Sequence, residues 1–90
     1  MRVRFFAYLR NITGCAETDF PYQETVGALT RSLCDHYGDK LRQKIYPKGE
    51  DTFGEIIVLV NGRHVNHLGG LAAPLNPDDR VDIFPLIAGG

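Results

Sequence analysis

Cysteine is scarce: Cys15 and Cys34 are the only thiols in the chain. Two are too few for the disulfide framework of a small secreted domain, and both are expected as reduced thiols serving as small apolar residues. No apolar run approaches the roughly 18–20 residues of a membrane-spanning helix. The opening Met1-Arg2-Val3-Arg4-Phe5-Phe6 alternates like a strand and lacks the apolar stretch and small-residue cleavage site of a signal peptide, so a cytoplasmic protein is expected. Neither charge sign is in excess: the net charge of −1 gives no basic face for nucleic acid, and neither nucleic acid nor membrane is expected as a partner. His64 and His67 are three apart, but no carboxylate or cysteine cluster stands at ligand spacing, so no metal site is expected. The glycine-rich stretches lack the P-loop and dinucleotide fingerprints, and no nucleophile has a base beside it.

What remains is a chain of 90 residues, 43% apolar and 23% charged, enough for one globular domain and no more. A strand is expected from about Arg2 to Arg10, with Val3, Phe5, Ala7 and Leu9 on one face and Arg2, Arg4, Phe6, Tyr8 and Arg10 on the other. Asn11-Ile12-Thr13-Gly14 has turn chemistry. A second strand, about Ala16 to Phe20, is limited by Pro21, which suits a sheet edge. Thr25 is an N-cap for a helix from Val26 to Tyr37, Gly38 ends it, and Val26, Leu29, Leu33 and Tyr37 share one face. In the polar stretch from Asp39 to Gly54, Leu41, Ile45 and Tyr46 suit a short second helix, and Pro47 to Asp51 an exposed loop. Glu55 to Val60 is apolar on both faces, as a strand inside a sheet is. Asn61-Gly62 is the best two-residue hairpin turn, returning into a short strand around Arg63 to His67. After a turn-rich stretch anchored by Leu71 and Leu75, Arg80 to Pro85 forms the last strand. Strands around one crossover helix point to an α+β fold, a mixed sheet of four to five strands on one main helix with the first and last strands parallel in its middle.

Several segments together resemble a known family. Phe5-Phe6-Ala7 with Arg10, Val60-Asn61-Gly62, Leu68-Gly69-Gly70-Leu71 with Leu75, Asp79 alternating with Val81 and Ile83 before Phe84-Pro85, and Ala88-Gly89-Gly90 are similar to the MoaD/ThiS group of ubiquitin-like β-grasp sulfur carriers. The likeness is greatest to MoaD, the small subunit of molybdopterin synthase, and covers nearly the whole chain. The polar 39–54 stretch and His64 depart from the pattern. The resemblance implies a β-grasp domain over residues 1–85 and a flexible tail over 86–90. It further implies that Gly90 is the reacting residue. An ATP-using partner similar to MoeB and the ubiquitin-activating enzymes adenylates its carboxylate, a thiocarboxylate replaces the adenylate, and sulfur passes to a precursor of the molybdenum or tungsten cofactor. A large synthase subunit resembling MoaE is the second implied partner. No cofactor is expected to be bound stably, since the ATP belongs to the activating partner. The alternatives are a ubiquitin-like modifier conjugated through Gly90 and a thiamine-type carrier.

The tail suits that chemistry. Gly89 has no Cβ to obstruct a narrow channel, and an extended chain from Pro85 to Gly90 reaches about 17 Å. The strand pattern adds a docking surface: with Val81 and Ile83 inward, Phe6, Tyr8 and Phe84 are expected together on the outer face, rimmed by Arg4 and Arg10. Aromatic side chains and arginine anchor interfaces. The expected partner-contacting set is therefore Phe6, Tyr8, Phe84, Pro85 and Ala88.

Overall fold

Val3 and Phe5 alternate with Arg2 and Arg4, and in the computed structural model, which describes residues 1–86, they open a five-stranded mixed sheet. The elements run β1 (Arg2–Phe5), α1 (Leu9–Thr13), β2 (Glu17–Asp19), α2 (Val26–Tyr37), α3 (Asp39–Ile45), β3 (Ile56–Val60), β4 (Arg63–His64) and β5 (Arg80–Pro85). Two short 3-10 turns, Val65–His67 and Gly70–Ala72, stand between β4 and β5. The strand order is β2-β1-β5-β3-β4, with β1 and β5 parallel and the other pairs antiparallel. This is the expected α+β, ubiquitin-like β-grasp. Among the described residues no helix is long and apolar enough to cross a membrane.

The core lies between the sheet and α2. Val3 and Phe5 of β1, Val81 and Ile83 of β5, and Val58 and Val60 of β3 pack with Val26, Leu29 and Leu33 of α2. The Thr25 hydroxyl oxygen accepts the Ala28 N–H, and the Gly38 N–H closes the helix on the Cys34 carbonyl. Gly27 eases the approach of the second 3-10 turn: a Cβ on it would meet the Leu71 carbonyl oxygen at 3.0 Å, and the turn would have to give by a few tenths of an ångström. The short second helix forms with Leu41, Ile45 and Tyr46 buried, and Pro47 to Asp51 is exposed as expected. Asn61 and Gly62 both take positive φ, +51° and +85°, the conformation that a tight two-residue hairpin demands.

The first strand is shorter than the alternation predicts. β1 ends at Phe5, Ala7 takes φ +53°, and the chain coils into α1 instead of continuing to Arg10. Leu9 still reaches the core, but from a helix, with Ile12 beside it at the helical spacing of three. Ala7 is exposed rather than inward. β2 likewise loses Ala16 and Phe20 and lies at the sheet edge, as Pro21 implied. The strand after the hairpin is only Arg63–His64 because the chain then enters the 3-10 turn over Val65–His67.

Candidate functional site

On the face of the sheet turned away from α2, β5 presents Arg80, Asp82 and Phe84, the alternates of its buried Val81 and Ile83. Phe6, just past the end of β1, stacks on Phe84 with ring centroids 4.0 Å apart and planes at 10°. The Arg4 and Arg10 guanidinium carbons stand 5.4 and 5.8 Å from the centre of the Phe6 ring. The expected pair and its two cationic flanks are thus together. Tyr8 does not join them: because the chain has already left the sheet, it precedes α1 and lies 41% exposed with the Lys44 ammonium over its ring. The patch continues instead onto β3, where half-buried Ile57 lies opposite Phe84 and Leu59 opposite Asp82. Ile57 and Leu59 are members that sequence reasoning missed, although a strand apolar on both faces was the signal for them.

Asp82 is the other. Its side chain is buried in the middle of this otherwise apolar and cationic face, 3% exposed as a residue. Arg4 donates Nε and Nη2 to its two oxygens at 2.7 and 2.9 Å, and Arg80 stands 3.4 Å away. The two bonds from Arg4 hold the carboxyl below the usual carboxylate range, against the opposing effect of burial, and Arg80 adds to the depression. A carboxyl whose value is lower in the folded than in the unfolded chain stabilises the fold above its ordinary value of about 3.9. That stabilisation is lost as pH falls through the lower folded value. The wild-type melting temperature should therefore drop below about pH 4 more steeply than that of Asp82→Asn, which should already melt lower at neutral pH. Parallel acid limbs in the two proteins would show that the pair contributes no pH-dependent stability.

The tail leaves from the same strand. Pro85 is buried, lies opposite Ile56 and ends β5, and one further backbone bond follows it, from the Leu86 N–H to the Glu55 carbonyl at 2.8 Å. The side chain of Leu86 is 52% exposed. It lines a groove of about 790 Å³ along β3 and the 3-10 turns, whereas Glu55 lines a second cleft of about 560 Å³ with Tyr8, Lys44, Pro47 and Phe53. The chain thus emerges between two open depressions. Ala88, Gly89 and Gly90, and with them most of the expected 86–90 tail, lie outside the described residues.

The remaining polar groups have internal roles. His64 Nδ1 accepts the Asn66 N–H, and the His64 and His67 rings are edge to face at 6.2 Å. Among the described residues no group of three His, Cys, Asp or Glu side chains is arranged to hold a metal. Cys34 is buried, and burial pushes its thiol up to about 11, while Cys15 lies against the Tyr37 hydroxyl at 3.5 Å.

Comparison with known proteins places this geometry in context. The family model described as the ThiS family matches residues 3–90. Small archaeal modifier protein 3 of Haloferax volcanii is 38% identical over 92 residues, covering 100% of this chain and 98% of that protein. The solution structure of small archaeal modifier protein 1 from Methanosarcina acetivorans superimposes with a TM-score of 0.83 at 34% identity, over 99% of this chain and 94% of that one. The crystal structure of CysO from Mycobacterium tuberculosis gives a TM-score of 0.81 at 25% identity, over 96% and 98% of the two chains.

Proposed function

Because the chain belongs to the ThiS family of ubiquitin-like β-grasp sulfur carriers and modifiers, we propose that the carboxyl group of Gly90 is its reacting group. A partner enzyme of the kind that activates ubiquitin-like tails joins that carboxylate to AMP at the expense of ATP. A carboxylate is a poor electrophile, and the mixed anhydride supplies the leaving group it lacks. Hydrosulfide from the sulfur donor then attacks the carbonyl carbon, the C–O bond to AMP breaks, and a thiocarboxylate remains. The sulfur is passed on in the biosynthesis of molybdopterin, for the molybdenum or tungsten cofactor, on a large synthase subunit similar to MoaE. The observation that carries this reading is that Ala88-Gly89-Gly90 lies within the matched span, which runs to residue 90.

The domain's own side chains act as a handle in this scheme. Phe6, Phe84, Ile57 and Leu59 form an apolar patch across β1, β5 and β3, beside the point where the tail leaves β5, so a partner seated on the patch has the tail beside its active site. Tyr8 and Pro85, at the mouth of the tail exit, border that contact. Incubation with ATP, an adenylating partner and a sulfur donor tests the reading by mass. The protein should gain the difference between sulfur and oxygen, and a mass that never changes, with any such partner, would remove it.

A second reading is favoured by the names of the relatives, two of which are modifiers. The same activated Gly90 carbonyl would acylate a lysine amine and form an isopeptide bond. Digestion of the cell's proteins then yields lysines carrying a remnant of this tail, and the carrier reading alone yields none.

Gly89→Val separates the channel from the handle. A branched side chain next to the reacting residue should slow ATP–pyrophosphate exchange at least about a hundredfold, since misplacement of about 1 Å has that effect on a reacting group. The dissociation constant should change little, because the patch lies upstream. Equal losses in exchange and affinity would show that Gly89 belongs to the docking contact instead.

A further inference from the structure

Beside the stacked Phe6 ring lies a recess of about 260 Å³ lined by Arg4, Phe5, Phe6, Arg10, Ala16 and Glu17. We propose that this recess is a carboxylate-binding site, which the activating partner fills with the side chain of an aspartate or glutamate. The proposal rests on the reading that a partner activates Gly90, and it adds the chemistry by which that partner is recognised.

Two guanidinium groups converge on the recess, and both are held in place. Arg10 donates Nε to the Phe5 carbonyl oxygen at 3.1 Å, and among the described residues neither of its terminal nitrogens has a carboxylate within 4.0 Å. Arg4 is fixed by its two bonds to Asp82 through Nε and Nη2, which leaves Nη1 without a partner among the described residues. The one carboxylate in the lining, Glu17, is drawn to Arg2 at 3.1 Å. Across the outer face, among the described residues, Arg2, Arg4, Arg10, Arg80 and the Met1 ammonium stand against Glu17, Asp19 and Asp82, in a chain whose net charge is −1. The face is therefore locally cationic on a slightly anionic molecule.

A planar carboxylate matches the donor fork of arginine. Pinned guanidiniums lose little freedom on binding, which favours this site over a loose surface arginine. The volume suits one side chain rather than a separate metabolite, since small-molecule sites begin near about 300 Å³. Continuity with the Phe6–Phe84 pair points the same way, because the anion would arrive on a protein surface already seated on the aromatic patch.

The test compares wild type, Arg10→Glu, Arg10→Lys and Arg63→Glu for binding to the adenylating partner, by calorimetry at low and high salt. Arg63 lies exposed in β4, at the opposite side of the sheet from β2 and the recess. Arg10→Glu should raise the dissociation constant at least about tenfold at low salt, and the salt dependence of the wild type should largely vanish in it. Arg63→Glu should bind as the wild type does. Arg10→Lys keeps the charge but not the fork, and should fall between the two. It also serves if the reversed charge lowers the melting temperature. Converting the facing carboxylate of the partner to lysine should restore binding to Arg10→Glu. In ATP–pyrophosphate exchange the Arg10 variants should need a higher concentration of this protein for half-maximal rate, in step with their weaker binding, and Arg63→Glu should need the same as wild type. If wild type supports exchange and both Arg10 variants bind as tightly as it does, the recess is not the recognition site. Wild type that supports no exchange with any adenylating partner defeats the reading of Gly90 instead.

Discussion

One residue added after Gly90, or Gly90 removed, should abolish activation and leave the melting curve where it was. The reacting atom in the proposed reaction is the carbonyl carbon of Gly90. A single added residue moves the terminal carboxyl by about 3.4 Å along an extended chain. A misplacement of about 1 Å in a reacting pair can already slow a reaction about a hundredfold. The fold has no stake in the change: the last sheet pairing is Pro85 with Ile56, and the last backbone bond described is from Leu86 to Glu55. ATP–pyrophosphate exchange with the adenylating partner measures the first half of the expectation and a thermal melt the second. Full exchange by an extended protein, shown by its mass to be untrimmed, would mean that the terminal carboxyl is not the reacting group.

The largest effect on stability should come from Phe5→Ala, and its contrast with Phe6→Ala reads the two faces of the sheet. Phe5 is 1% exposed, pairs with Ile83 in register and meets the Tyr37 ring edge to face at 5.6 Å. Removing a core phenylalanine ring costs about 3–5 kcal/mol. In a domain of this size each kcal/mol lowers the melting temperature by about 4–8 °C, so a fall of at least about 12 °C is expected. Phe6 is half-buried, and its main contact is the stack on Phe84, a pair worth about 0.5–1.5 kcal/mol beyond its area. Phe6→Ala should therefore melt only modestly below wild type while losing about 2 kcal/mol or more of partner binding. If the two variants melt together, Phe6 is a core residue and the apolar patch is not the handle.

Where sequence and structure agree, single residues announce the geometry. Thr25 and Gly38 bracket α2, and their side-chain and backbone bonds are the ones those residue types make. Asn61-Gly62 fixes the β3–β4 hairpin because few other pairs tolerate two positive φ values. The end of β1 had no such marker. Leu9 satisfies a two-residue period counted from Phe5 and a three-residue period counted toward Ile12, and both readings bury it. The turn that decides between them passes through Ala7 at positive φ, a conformation that alanine seldom adopts and does not signal. Tyr8 was misplaced for that reason alone. Asp82 was illegible for another: its role depends on the register that sets β5 beside Arg4, and 78 residues separate the two in sequence. The tight approach of the Leu71 carbonyl to Gly27 is likewise one that no local pattern reveals.

The parallel pairing of the first and last strands ties biosynthesis to chemistry. Arg2 lies opposite Arg80 and Phe5 opposite Ile83, so the middle of the sheet closes only when β5 is available. β1 must therefore wait, unpaired on that side, until β5 has been made and is free to pair. Contacts so distant in sequence also form slowly, because the long loop must close before they stabilise anything. The stacked pair of Phe6 and Phe84 assembles only then, since its two rings come from opposite ends of the sequence. If the proposed activating partner grips that pair, it meets only chains whose first and last strands have already come together.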